Sequence, residues 1–154
     1  MRLPHLALPV LALAALPALA APTFEQHWQD GRAELDGYRL TINRYGEQRA
    51  GQAVMIFVTE PLSESRLVKV DDAAASPEDT FEALKLNLIR DFQTGIYDYN
   101  TMVSVFTRSS DFSPVKITFT AAEWCGHVYE ELLFRPEGIT ATIRSYFDHE
   151  SVDT

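Results

Sequence analysis

From Ala33 to Phe147 the chain is a succession of strand-like runs joined by short polar segments, and this constrains its fold more than any other feature. Tyr38, Leu40 and Ile42 alternate with Arg39, Thr41 and Asn43, the period of two expected of a strand with one buried face. Gly37 within that run predicts a bulge or bend. Gly46 to Gly51 reads as a turn. Ala53 to Thr59 is continuously apolar and β-branched or aromatic, the pattern of a strand covered on both faces, and Pro61 is expected to end it. Leu67 to Val70 reads as a short strand and Asp71 to Ala75 as a loop. Ser76-Pro77-Glu78-Asp79 has the form of a helix start. Phe81, Leu84, Leu88 and Phe92 fit a helical face, whereas Leu84, Leu86 and Leu88 fit a strand face. The turn Gln93-Thr94-Gly95 and the strand formers from Ile96 to Thr107 favour a hairpin, hence one helical turn and then a strand over Leu84 to Phe92.

After a polar loop from Arg108 to Pro114, Val115 to Phe134 is strand-like throughout. Arg135 to Gly138 is a turn, and Ile139 to Phe147 alternates again. Phe24 to Asp30 is either a short helix or an extended lead-in. Strand following strand predicts a mostly β fold, a curved antiparallel sheet or half-barrel of the kind lipid carriers use. The polar run Asp148 to Thr154 directly follows a strand, so an incomplete C-terminal end is expected.

Residues 1–20 read as a signal peptide. Arg2 is followed by an apolar stretch from Leu6 to Leu16 and by the small-x-small site Ala18-Leu19-Ala20. The stretch is too short and proline-broken to remain as a membrane span. The expected product is a periplasmic or secreted single β-rich domain over 21–154, with no integral membrane segment once the signal is removed. The formal net charge of −9, one unit more negative without Arg2, argues against nucleic acid and against anionic lipid as partners.

The chain has a single cysteine, so no internal disulfide can form. Trp124-Cys125-Gly126-His127 is similar to the active-site run of thioredoxin-fold disulfide isomerases. The resolving thiol is missing, because position 128 is Val128, and a dithiol cycle needs it. On one strand, Cys125, His127 and Tyr129 would share a face. Cys125 and His127 are therefore a candidate thiol or metal site, with His27, His149, Asp148 and Glu150 as the available further ligands. A buried cysteine beside a hydrogen-bonded histidine accounts for the same letters. Glu130 and Glu131, adjacent on a strand, point to opposite faces and do not form a paired-carboxylate site. No phosphate loop, nucleophile elbow or zinc-protease motif is present, and neither a catalytic residue nor a cofactor is assigned.

The aromatics Tyr38, Tyr45, Phe57, Tyr97, Tyr99, Phe106, Phe119, Trp124 and Tyr129 fall on expected strands. They are either ordinary core or the lining of a cleft for a lipid-like or peptide ligand, with Trp124, Tyr129, Tyr97 and Tyr99 as the candidate contacts.

Several phrases occur together: Trp28-Gln29-Asp30-Gly31-Arg32-Ala33-Glu34-Leu35-Asp36-Gly37-Tyr38, Arg44-Tyr45-Gly46-Glu47, Ile56-Phe57-Val58-Thr59-Glu60, Lys85-Leu86-Asn87, Phe92-Gln93-Thr94-Gly95-Ile96-Tyr97 and Glu123-Trp124-Cys125-Gly126. On these the chain resembles a family of exported bacterial proteins and lipoproteins of unassigned function, some of which carry the label septum formation inhibitor. That label belongs to a cytoplasmic α/β nucleotide pyrophosphatase family whose features are absent here. The resemblance implies export and a longer chain, and it implies no catalytic residues.

Overall fold

A computed structural model describes residues 23–153, so the leader read over residues 1–20 lies outside the described residues. The short helix α1 (Phe24–Trp28) precedes β1 (Glu34–Arg44), β2 (Glu47–Ser63), β3 (Thr80–Thr94), β4 (Tyr97–Arg108), β5 (Pro114–Glu123), β6 (Gly126–Arg135), β7 (Gly138–Ser145) and the two-residue β8 (Val152–Asp153). All strands join one antiparallel sheet in sequence order, and β1 and β8 are its edges, so the sheet is not closed. The mostly β expectation holds. Among the described residues no helix is long and apolar enough to cross a membrane.

Several local expectations are corrected. Gly37 makes no bulge and stands opposite Val54 in unbroken register. Pro61 does not end β2, which continues to Ser63. The reason is local: β1 reaches only to the Glu34–Phe57 pair, so beyond it β2 has a free side. The Pro61 carbonyl points to that side, where it accepts from Val70 N at 2.9 Å; its missing N–H faces the same way, so the β2–β3 ladder loses no donor at proline. Leu67 to Val70 forms only a single bridge, between Leu62 and Lys69. The expected helix start is a 3-10 turn, Pro77–Asp79, and the strand begins at Thr80 rather than Leu84. The run Val115 to Phe134 is two strands, parted by a turn at Trp124-Cys125.

The register assigns every strand residue to a face. One face carries Leu62, Phe81, Ala83, Phe106 and Leu133, and the loop residue Leu67 folds onto it. A bulge at Phe106/Thr107 leaves Val115 as an extra residue, and Val115 joins the same cluster. This is the true core, with Leu62 only 1% exposed. Ser63 and Asp79 lock the covering loop: Asp79 accepts from Ser63 Oγ at 2.6 Å, from Ser65 N at 2.8 Å and from Ser65 Oγ at 3.0 Å. Lys116 donates to the Leu67 carbonyl at 2.5 Å, and its ammonium lies over the Phe106 ring. Glu60, nearly buried, sits 3.2 Å from Lys85 and 3.7 Å from Lys69.

Candidate functional site

The opposite face is the less ordinary one. Phe57, Leu86, Val105, Ile117, Leu132 and Ala141 stand side by side across β2 to β7. The adjacent row is Met55, Leu88, Val103, Phe119, Glu130 and Ile143. With strands about 4.8 Å apart, this apolar band is roughly 24 Å wide. None of these residues is fully buried, because among the described residues no strand or helix other than α1, at the Phe57 end, lies over them.

The two ends of this face are curled inward. At one end α1 crosses it: Trp28 packs against Phe57 with ring centroids 5.8 Å apart, and its carbonyl accepts from Thr59 Oγ1 at 2.8 Å. Phe24 meets Phe112 of the β4–β5 loop edge-on at 5.1 Å. At the other end the β1–β2 turn reaches across β3 to β4. Tyr45 and Tyr99 share a hydroxyl hydrogen bond of 2.9 Å, and the Arg44 guanidinium lies 4.8 Å from the Tyr45 ring centre and 5.2 Å from that of Tyr99. Tyr99 stacks on Phe92 at 5.0 Å.

A turn at residue 45 reaches residue 99 only if the sheet bends toward this face. Gly51 marks the crease, since a Cβ there would lie 2.3 Å from the Asp91 carbonyl oxygen and 2.8 Å from Phe92 Cβ. The hydrogen bond shared with Tyr45, and then burial, raise the Tyr99 hydroxyl above the ordinary tyrosine range. Burial opposes the Arg44 charge, but the neighbouring Tyr99 and Tyr45 hydroxyls outweigh it and hold that guanidinium above its usual pKa.

The candidate residues named from sequence are dispersed. Trp124 is exposed on the β5–β6 turn and meets the Tyr97 ring at 5.6 Å, whereas Tyr99 is buried in the stack on the band side. Tyr129 lies on the core-bearing face, where its hydroxyl donates to Glu131 at 2.9 Å. Its pKa is pushed up to about 12 by burial and by that carboxylate. Trp124 and His127 border a cleft of about 640 Å³ with Gln52, Asp91, Asp98 and Asn100. Two amides there are engaged, Gln93 donating to Asp98 and Asn100 to Asp91.

Cys125 is not a strand residue sharing a face with His127. It is exposed on the turn, which overturns the reading as a buried thiol. His127 and Tyr129 do share a face, as alternation requires. Among the described residues no three His, Cys, Asp or Glu side chains are grouped to hold a metal ion. His149 pairs with Asp148 at 2.9 Å and His27 with Glu34 at 3.9 Å.

Arg44, Arg49 and Arg90 are the site residues that reading the sequence missed. The parity of Tyr38-Leu40-Ile42-Arg44 placed Arg44 on the apolar side of its strand, and that was the available signal. No family model, curated protein or solved structure matches this chain, so the chemistry of the band is argued from its own residues.

Proposed function

We propose that this protein is an exported, non-enzymatic β-domain that binds an apolar ligand, the hydrocarbon chain of a lipid, along the band on its curled face. The observation that carries this reading is the pair of rows, apolar but for Glu130, that spans β2 to β7 with only α1 over its Phe57 end among the described residues. An open apolar surface of this extent on a chain of net charge −9 is a binding surface rather than a packing defect. Burial of each methylene group contributes about 0.8 kcal/mol, so a chain laid across several strands gains enough to offset its ordering. The leader-like residues 1–20 support placement outside the cytoplasm, in the periplasm or secreted.

The test is native mass spectrometry of protein purified from its own cells, followed by organic extraction. A bound lipid in the wild type that is lost in Val105→Asp/Ile117→Asp supports the reading. A bare chain that also fails to take up lipid from vesicles overturns it.

A further inference from the structure

All cationic strand residues on the band face lie at one of its ends. Arg44, Arg49 and Arg90 have the parity of that face, whereas Arg39, Lys85, Arg108, Lys116, Arg135 and Arg144 have the other. Arg90 adjoins the band directly, one row from Leu88, and donates its Nε to Thr101 at 3.2 Å. Arg44 lies over the neighbouring row, which contains Phe92 and Tyr99.

Their counter-ions do not add up. Glu47 stands opposite Arg44 in the β1–β2 ladder but pairs at 2.5 Å with Arg49. Among the described residues no carboxylate lies within 4 Å of Arg44 or Arg90. The Nε atoms of Arg44 and Arg49 are shielded from solvent and have no hydrogen-bond partner. A buried donor without a partner calls for an account. Glu123, opposite Tyr99 on the same face, is the second carboxylate of this corner, so three guanidinium groups face two carboxylates in a chain that is strongly acidic overall. The Arg44 guanidinium lies over the Tyr45 and Tyr99 rings and beside their hydroxyls, and it carries five N–H donors, more than those two hydroxyls occupy.

We infer that this corner receives the anionic head group of the ligand, an oxyanion such as a carboxylate or phosphate, with Arg44 and Arg90 as its principal donors. The inference rests on the apolar-band reading above and extends it from a hydrocarbon to an anionic amphiphile. Guanidinium groups suit this role because they donate two parallel hydrogen bonds to one oxyanion.

Calorimetric titration with laurate, dodecyl phosphate and dodecanol, each below its aggregation limit, tests it on the purified protein. Both anions are expected to bind about tenfold more tightly than dodecanol, the worth of one charge-assisted hydrogen bond. Arg44→Gln/Arg90→Gln should abolish that preference and leave dodecanol binding intact, while Arg39→Gln on the opposite face changes neither. Tighter binding of dodecyl phosphate than laurate assigns the head group to the phosphate class, and the reverse assigns it to the carboxylate class.

Equal affinity for all three ligands, or a preference that survives in the double variant, overturns the anionic assignment and leaves the band reading standing. Failure of all three to bind removes the band reading, and this one with it. Should the double variant unfold, the salt dependence of the wild type decides. Raising the salt to 0.5 M must weaken anion binding and leave dodecanol unaffected; anion binding that is insensitive to salt overturns the inference.

Discussion

The two faces of this sheet are built from the same strands and similar residues, yet they differ in what lies over them. Val105 and Phe106 are consecutive in β4. Phe106 is buried beneath Leu67 and beside Leu62 and Val115, while Val105 looks out over the band between Leu86 and Ile117. The covered face has its loop, pinned by the Ser63–Asp79 hydrogen bonds. The band face has only α1 at one end and the β1–β2 turn at the other. Amphipathic patterning thus specifies two apolar surfaces, and whether each one stabilises the fold or binds something depends on whether the chain has a segment to spare for it.

Matched truncations put this difference to measurement. Leu62→Ala should destabilise the fold by about 2–5 kcal/mol, the usual cost of a cavity at a fully buried leucine. Chemical denaturation measures it, and a loss equal to that of Leu86→Ala would erase the distinction between the faces. Gly51→Val comes next, at about 1–3 kcal/mol, because its Cβ would overlap the β3 backbone. It should also open the crease, so the Tyr99 hydroxyl would titrate nearer the ordinary tyrosine range in ultraviolet difference spectra. Leu86→Ala on the half-buried band should cost only about 1 kcal/mol in the ligand-free protein, and more once ligand is bound.

The pH dependence tests the pin on the covered face. The hydrogen bonds from Ser63 Oγ, then from Ser65 N and Oγ, hold the Asp79 carboxyl below its ordinary value. A carboxyl whose pKa is lower when folded than when unfolded stabilises the fold fully above the unfolded value of about 3.9. That contribution is lost as the pH falls through the lower, folded value. Asp79→Asn should therefore make the acid limb of a melting-temperature profile shallower below about pH 4 and leave the band unaltered. The smallest effect belongs to Cys125. Exposed on its turn, it should react with a thiol reagent in the folded protein, and Cys125→Ser should alter stability by no more than about 0.5 kcal/mol. A thiol that reacts only after denaturation would contradict its place at the turn.

Much of this was legible in the residues. Alternation located β1 and β7, strand formers marked β4, and the Gly95 turn decided strand over helix for Leu84 to Phe92 in β3. The β5–β6 turn was missed because Trp124 and Cys125 are not turn formers and strand formers flank them. Gly126 was the available mark: the Tyr146 ring lies where its side chain would be, with Tyr146 Cγ 2.3 Å from a Cβ built there. Missing that turn put Cys125 on a strand and made a site of it. Pro61 misled in the other direction, because its absent N–H faces away from β3 and the β2–β3 ladder runs past it intact.

What the order of amino acids determined by itself is the antiparallel meander, since a period of two and short turns are local properties that neighbouring strands can satisfy at once. Only the tertiary structure decided that one apolar face is core and the other a surface with three arginines at its end. That outcome depends on where a loop folds back and which way the sheet curls, and both are settled by contacts between residues far apart, such as Tyr45 with Tyr99 and Leu62 with Leu67 and Phe106.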